Sequence, residues 1–156
     1  MIKFVIFDFD GVFTDGKFYF NNQSMSSKCY NCKDSYSLKI LKKNNIKSGV
    51  ITGDNVIDLK NAKHIYPRLD KLSMGNSNKI EVLNKWIKEY NLTYENIAYI
   101  GDDIPDIPVL SVVKISGCPN DAIDSVKNVC NYVCKKNGGN GAVREFVDYI
   151  INYNKN

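Results

Sequence analysis

The chain has 156 residues, of which 44% are hydrophobic and 24% are charged, and its formal net charge is +4. This length and balance predict one soluble globular domain, and they exclude a fibre, a disordered tail and a membrane protein. The single histidine, His64, excludes a metal site built from several histidines. The 21 basic residues are spread along the chain, which argues against a nucleic-acid partner.

The N-terminal segment and the cysteines bear on the cell compartment. The apolar run over residues 1–7 is too short for a signal peptide, so we expect a cytoplasmic protein without a membrane partner. Five cysteines, an odd number, favour reduced thiols over a disulfide framework. A four-thiolate zinc site from Cys29, Cys32, Cys130 and Cys134 is possible in principle, but the last two flank a short strand that points elsewhere.

Strands and helices alternate along the chain. The first strand, over 3–9, is followed by an aromatic β-hairpin over about 17–30, whose rings exceed what it can bury alone and so suggest an interface. We expect Asp34 to cap the next helix and Asn78 to form a capping pair with Glu81 at a later one. Further strands are predicted over 48–52, 71–74, 97–100, 112–115 and 132–133, and further helices over 56–62, 122–126 and 142–151. This alternation predicts an α/β fold with a doubly wound, Rossmann-like parallel sheet.

Polar residues follow several of the predicted strands. In such a sheet, ligands bind beyond the carboxyl ends of the strands, where these residues would converge: Asp8, Asp10, Thr52, Gly53, Asp102 and Asp103, with Lys79 at a helix start. Carboxylates without compensating bases favour Mg²⁺, and a lysine beside them suits an anionic substrate. One carboxylate can attack phosphorus and a second can transfer protons, while the metal and the ammonium offset charge. The set therefore predicts phosphate-ester hydrolysis.

The order of these residues gives a resemblance. Residues 7–16, Phe-Asp-Phe-Asp-Gly-Val-Phe-Thr-Asp-Gly, resemble the first motif of the haloacid dehalogenase superfamily, and 51–53, Lys79 and 101–106 resemble the next three in order. Four motifs in sequence are specific together, although each alone is weak.

A narrower resemblance covers residues 3 to about 149. Residues 77–79, 107–110 and 138–145 are similar to the 3-deoxy-D-manno-octulosonate 8-phosphate phosphatases. Close relatives of those enzymes act on nine-carbon ulosonate 9-phosphates or are fused to acylneuraminate cytidylyltransferases.

The resemblance implies a role for each matching residue. Asp8 would be the nucleophile and Asp10 the general acid/base, and Mg²⁺ would be bound by Asp8, Asp102 and the backbone carbonyl of Asp10, with Asp103 and Asp106 in support. Thr52 would hold the phosphoryl group and Lys79 would bridge it to Asp8. The substrate would be a phosphorylated 2-keto-3-deoxy sugar acid, with five further candidate contacts: Gly11, Gly53, Asp54, Asn78 and Arg144.

The resemblance also implies an assembly. Members of this type have one phosphatase domain, here 1–156, and no separate cap domain. The hairpin would build a homotetramer in which one subunit covers its neighbour's site, and residues 138–144 would lie over the sugar acid.

Two positions depart from the family pattern. Asp54 stands where the octulosonate phosphatases usually carry arginine. An arginine could pair with an anionic group of the substrate, whereas an aspartate would repel that group and favour hydroxyls instead. This departure weakens the eight-carbon assignment and favours the nine-carbon one. Ser35 stands where the family usually has glycine, so strain or a shifted loop is expected if that position needs a positive φ.

Two other functions are open to the same residues. A non-catalytic, phosphatase-like assembly module would be expected to lack a motif residue. All five principal positions are intact here: Asp8, Asp10, Thr52, Lys79 and Asp102. A phosphoacceptor domain of the receiver type also uses aspartates, a threonine and a lysine, but its acceptor follows the third strand, whereas Asp8 follows the first.

Overall fold

A computed structural model describes residues 1–20, 26–55 and 65–156, and its centre is a six-stranded parallel sheet. The sheet has the order β5-β4-β1-β6-β7-β8, with β1 Phe4–Phe7, β4 Lys47–Ile51, β5 Lys71–Ser73, β6 Ile97–Ile100, β7 Ile115–Cys118 and β8 Tyr132–Val133. Phe4 pairs with Lys47 on one side and with Ile97 on the other. The predicted doubly wound parallel sheet is confirmed.

Helices cover both faces of the sheet. They are α1 Cys32–Lys43, α2 Lys79–Glu89, α3 Ile107–Leu110, α4 Asp124–Lys127 and α5 Ala142–Lys155, with 3-10 turns at Tyr66–Arg68, Tyr94–Asn96 and Ile104–Asp106. Successive residues of a strand point to opposite faces. Val5 and Phe7 accordingly join the core beneath α1 and α5, while Phe4 and Ile6 join the core beneath α2 and α3.

The aromatic hairpin is formed as predicted from two short antiparallel strands, β2 Tyr19–Phe20 and β3 Ser26–Ser27. The residues between them lie outside the described part of the chain. Phe18 and Phe20 are 61% and 78% exposed, so the hairpin presents unburied rings.

The capping residue predicted for α1 is wrong. Asn31 is the N-cap, and its side chain accepts the N–H of Lys33 at 2.8 Å. Asp34 lies inside α1 and is fully buried, and its carboxylate accepts the N–H groups of Gly141 and Arg144 at 3.0 and 2.8 Å. Asp34 therefore satisfies the N-terminus of α5 rather than that of its own helix.

The expected strain at Ser35 is also absent. Ser35 occupies a regular helical position, and its N–H donates to the carbonyl of Asn31 at 3.2 Å. Among the described residues other than glycine, only Asn45 and Asn91 have a positive φ.

Other element boundaries differ in detail. The strand predicted over 112–115 lies instead at Ile115–Cys118, because Val112 and Val113 donate their N–H groups to Val109 in the turn that ends α3. Asn78 occupies the N-cap of α2, but its side chain makes no capping bond. The helix predicted over 56–62 and His64 lie outside the described residues.

Among the helices that the structure describes, none combines the length and the apolar character that a membrane span needs.

Candidate active site

A cavity of about 370 Å³ lies at the carboxyl ends of β1, β4 and β6. It brings together most of the residues that the sequence singled out, although they are far apart in the chain. Its lining consists of Asp8, Asp10, Gly11, Gly16, Thr52, Gly53, Asp54, Ser77, Lys79, Asp102, Asp103, Pro105 and Asp106.

Asp8 and Lys79 form a buried ion pair in the cavity. Asp8 follows β1, and its N–H donates to the carbonyl of Ile100 at the end of β6. Its Oδ1 lies 2.9 Å from Lys79 Nζ and also accepts the N–H of Phe9 at 2.7 Å. Lys79, the first residue of α2, therefore directs an ammonium group at the carboxylate predicted to be the nucleophile.

Asp106 is a fully buried carboxylate that holds this arrangement together. Its Oδ1 accepts from Lys79 Nζ at 2.7 Å and from the hydroxyl of Tyr99 at 2.6 Å. Its Oδ2 accepts the N–H groups of Asp102 and Asp103 at 3.0 and 3.2 Å. Since four donors occupy its acceptor capacity, Asp106 supports the site rather than facing a ligand.

Asp8 and Asp102 bring two carboxyl groups close together in the cavity. Burial, followed by the charge of Asp106, raises the pKa of Asp8 to about 6, although Lys79 opposes the shift. Burial and the neighbouring Asp8 raise the pKa of Asp102 to about 8. Asp102 Oδ1 is buried without a hydrogen-bond partner, and Asp8, Asp102 and Asp106 each offer an oxygen within 4.8 Å of the others. This arrangement fits a divalent cation between Asp8 and Asp102.

Gly11 makes this close approach possible. Its φ is +79°, which favours glycine, and a Cβ at this position would overlap the carboxylate of Asp102. Gly11 therefore leaves room for Asp102, and because it also lines the cavity, the substrate contact expected from the sequence stays a prediction.

Asp10 has partners on two sides. Its Oδ1 accepts from the Thr14 hydroxyl at 3.1 Å, and its Oδ2 lies 2.7 Å from Lys28 Nζ. The same ammonium lies 2.6 Å from Oδ2 of Asp54. Burial disfavours the charge of Lys28, but the two carboxylates outweigh it, so its pKa lies above the ordinary value.

Thr52 and Asp103, which also line the cavity, each accept a backbone N–H group near the end of a strand. Thr52 Oγ1 accepts the N–H of Asp54 at 3.2 Å, which shapes the loop after β4. Asp103 Oδ1 accepts the N–H of Ile104 at 2.7 Å and so caps the 3-10 turn.

Two predicted substrate contacts do not line this cavity. Asn78 is exposed and absent from its lining. Arg144 Nε lies 3.0 and 2.9 Å from the two carboxylate oxygens of Asp148, and both residues line a separate groove beside α5.

The glycine segment before α5, residues 138–141, packs against the turn that follows Asp10. The N–H of Gly139 donates to the carbonyl of Val12 at 3.0 Å, and a Cβ on Gly138 would overlap the carbonyl of Gly11. In this subunit the segment supports that turn and does not line the cavity, and its expected place over the sugar acid stays a prediction.

Sequence reasoning missed Tyr99 and Lys28. The signal for Tyr99 was a hydroxyl inside an otherwise apolar strand, since a buried hydroxyl needs a partner. Lys28 gave no local signal, because its two carboxylate partners lie elsewhere in the chain.

The cysteines form no zinc site among the described residues. All five are free thiols; Cys29 and Cys32 are exposed, whereas Cys118 and Cys134 are buried. The carboxylates of Asp8, Asp102 and Asp106 are the one group of potential metal ligands found in that part of the chain.

Comparison with known proteins gives the same family over most of the chain. The model of the haloacid dehalogenase-like hydrolases matches residues 11–146. The chain is 33% identical over 155 residues to the 3-deoxy-D-manno-octulosonate 8-phosphate phosphatase of Salmonella typhi, covering 96% of this chain and 79% of the relative.

Solved structures agree with that match. The corresponding phosphatase of Yersinia pestis superposes with a TM-score of 0.91 at 33% identity, covering 99% of this chain and 83% of that one. The Moraxella catarrhalis phosphatase, solved in complex with magnesium, phosphate and KDO, gives 0.89 at 28% identity, covering 97% and 86%. The cobalt-bound Haemophilus influenzae phosphatase gives 0.88 at 32% identity, covering 97% and 88%. The chain therefore belongs to the haloacid dehalogenase-like hydrolase family and is an enzyme of the phosphatase class.

Proposed function

We propose that this protein is a Mg²⁺-dependent phosphomonoester hydrolase that acts on a phosphorylated 2-keto-3-deoxy sugar acid of the 3-deoxy-D-manno-octulosonate 8-phosphate type. The observation that carries the proposal is the buried Asp8–Lys79–Asp106 chain beside Asp102, whose Oδ1 has no partner. It combines a nucleophile, a fixed cation and a place for a metal within one cavity. The proposed substrate class, a sugar acid, is taken from the relatives, which are named as 3-deoxy-D-manno-octulosonate 8-phosphate phosphatases.

Asp8 and Asp10 would share the chemistry. A carboxylate oxygen of Asp8 attacks phosphorus, the bond from phosphorus to the sugar oxygen breaks, and Asp10 gives that oxygen a proton. Asp10 then takes a proton from the water that attacks the aspartyl-phosphate, which releases phosphate and restores Asp8. Two carboxylates two residues apart thereby divide nucleophilic and proton-transfer work.

Lys79 and Thr52 would stabilise the transferring group. The ammonium of Lys79 is held by Asp8 and Asp106, so it needs no reorientation as negative charge develops on the phosphoryl oxygens. Thr52 and Gly53 follow β4 and line the cavity, where the Thr52 hydroxyl and the backbone of Gly53 would hold the phosphoryl oxygens.

The metal would be held by the carboxylates of Asp8 and Asp102 and by the backbone carbonyl of Asp10. A bound Mg²⁺ neutralises negative charge on the phosphoryl group and on the carboxylates around it. The magnesium and cobalt complexes of the relatives support a divalent ion.

We further propose that residues 1–156 act as one catalytic domain within a homotetramer built through the hairpin. The exposed Phe18 and Phe20 support this assembly, because rings at this exposure are typical of an interface.

The central test is phosphate release from a panel of phosphorylated sugar acids with and without Mg²⁺. Asp8→Asn should abolish metal-dependent release, whereas Asp148→Asn, the same change outside the cavity, should not alter it. Equally slow release by wild type and Asp8→Asn would refute the proposal and favour a non-catalytic assembly module. A long-lived phosphate on Asp8 without turnover would instead favour a phosphoacceptor domain.

Asp54 supports a second candidate, a phosphatase of nine-carbon ulosonate 9-phosphates. Asp54 lines the cavity, where its carboxylate can accept hydrogen bonds from hydroxyl groups. The values of kcat/KM for the eight-carbon and nine-carbon phosphates, measured side by side, distinguish the two candidates. A higher value for the nine-carbon compound would replace the first assignment.

A further inference from the structure

Lys28 is a cation at the edge of the cavity that no motif of the sequence singled out. It follows β3 at the base of the hairpin, and its Nζ lies 2.7 Å from Asp10 Oδ2 and 2.6 Å from Asp54 Oδ2. The ring centroids of Phe9 and Phe18 lie 6.0 and 5.6 Å from the same atom. Only 18% of the side chain is exposed, so the ammonium is enclosed by two carboxylates and two rings.

The surroundings of Asp10 make this contact important for its orientation. The other oxygen of Asp10 accepts from the Thr14 hydroxyl at 3.1 Å, and Thr14 Oγ1 itself accepts the N–H groups of Gly11 and Gly16. The contact with Lys28 is shorter and charge-assisted, and such bonds are about twice as strong as neutral ones. The turn alone therefore restrains Asp10 less than the turn and the hairpin do together.

We propose that Lys28 is a positioning residue that couples the hairpin to the proton-transfer group Asp10. It fixes the carboxyl of Asp10 from the hairpin side, and it offsets part of the negative charge of Asp54, which weakens the repulsion that Asp54 would exert on an anionic substrate. The inference rests on the proposed function, in which Asp10 protonates the leaving oxygen. It assigns Lys28 no contact with the reacting atoms.

The leaving group separates a positioning role from a merely structural one. An alkyl phosphate, such as 3-deoxy-D-manno-octulosonate 8-phosphate, releases a poor leaving group that needs a proton from Asp10. An aryl phosphate, such as p-nitrophenyl phosphate, releases a phenolate that leaves without one. Because kcat/KM reports the steps up to departure of the leaving group, misplacing Asp10 should lower it for the alkyl phosphate alone.

The experiment compares Lys28→Met with wild type on both substrates in the presence of Mg²⁺. We expect kcat/KM for the alkyl phosphate to fall about 10- to 100-fold, and that for the aryl phosphate to change less than about threefold. Lys17→Met is the matched control, since Lys17 is an exposed lysine of the same hairpin. Lys28→Arg should recover part of the loss because it restores the charge.

Each other result overturns the inference in a recognisable way. Parallel losses on both substrates would mean that Lys28 acts on folding or on phosphoryl binding. A rise in KM with unchanged kcat for the sugar phosphate would make Lys28 a substrate contact. If wild type hydrolyses neither phosphate, the proposed function fails, and the role of Lys28 fails with it.

A double-mutant cycle tests the contact with Asp54. If Lys28 acts partly by offsetting the charge of Asp54, the loss in kcat/KM from Lys28→Met should be smaller in an Asp54→Asn background than in the wild-type background. An equal loss in both backgrounds would remove Asp54 from the proposal.

Discussion

Asp106 is the residue on which the other groups of the cavity depend. Its carboxylate accepts from Lys79, from Tyr99 and from the N–H groups of Asp102 and Asp103. It thereby joins α2, β6 and the loop after β6 at one buried point.

Replacement of Asp106 by asparagine should destabilise the protein strongly. The amide turns one oxygen acceptor into a donor that faces existing donors, and it leaves Lys79 with one counterion. Breaking a buried ion pair in this way costs about 3–5 kcal/mol. Urea unfolding measures the loss, and Asp103→Asn, an exposed site that keeps an acceptor, is the control. A loss below about 1 kcal/mol would show that the pair is dispensable.

The raised pKa values of Asp8 and Asp102 predict a pH-dependent response to Mg²⁺. In the metal-free protein these carboxyls, with pKa values of about 6 and about 8, hold protons that the unfolded chain releases near its ordinary pKa of 3.8. The stability that this protonation gives is present at low pH and is lost as the pH rises through these values. A cation must displace the protons, so Mg²⁺ should bind more tightly at pH 8 than at pH 6.

Thermal unfolding checks this response directly. At a fixed, sub-saturating Mg²⁺ concentration, the increase in Tm should be larger at pH 8 than at pH 6, and Asp102→Asn should remove it. An equal increase at both pH values would contradict the assignment of the metal to these carboxylates.

At the scale of elements, α1 and α5 are connected by one buried side chain. Asp34, within α1, accepts two N–H groups at the N-terminus of α5, where Gly141 precedes the first residue of the helix. This contact acts as a helix cap supplied by another helix.

Removal of this cap should weaken the docking of α5. Asp34→Ala leaves two N–H groups without an acceptor, and loss of a cap typically costs about 1–2 kcal/mol. Asp148→Ala, which removes the exposed pair with Arg144 on the same helix, should cost less than about 0.5 kcal/mol. Chemical unfolding of both variants measures the difference, and equal losses would contradict the capping role.

The sequence predicts elements where a local pattern dominates and fails where a distant partner decides. The buried apolar runs located β1, β4 and β6 closely, because strands covered on both faces are apolar throughout. Asp34 looked like a local cap, yet a helix more than a hundred positions away receives its hydrogen bonds. Val112 suited a strand by type, but the end of α3 takes up its N–H group.

The same distinction holds in the cavity. Asp8, Thr52 and Asp102 could be predicted because each follows a strand, and the ends of parallel strands meet at one edge. Lys28 could not, because its place depends on how the hairpin folds back over its own subunit. Arg144 followed from resemblance alone, and its pairing with Asp148 depends on the local helix geometry.

At the scale of the whole molecule, the hairpin is the surface that predicts assembly. Phe18, Tyr19 and Phe20 are 61%, 43% and 78% exposed. If the proposed tetramer is built through the hairpin, changing Phe18 and Phe20 to serine should shift the protein to smaller species, because it removes apolar area from that interface. Sedimentation velocity and light scattering measure the mass. A wild-type protein that is a stable, active monomer would contradict the tetramer.

The central place of β1 also affects how the chain folds during synthesis. β1 leaves the ribosome before the other strands of the sheet, and its neighbours begin only at Lys47 and Ile97. Until β6 emerges, the apolar residues Phe4–Phe7 lack a partner along one edge, and such an edge invites aggregation. If translation pauses before Ile97, one edge of β1 has no partner, so the nascent chain should depend on chaperones to avoid aggregation. If it pauses after β6 has emerged, β1 can pair on both sides.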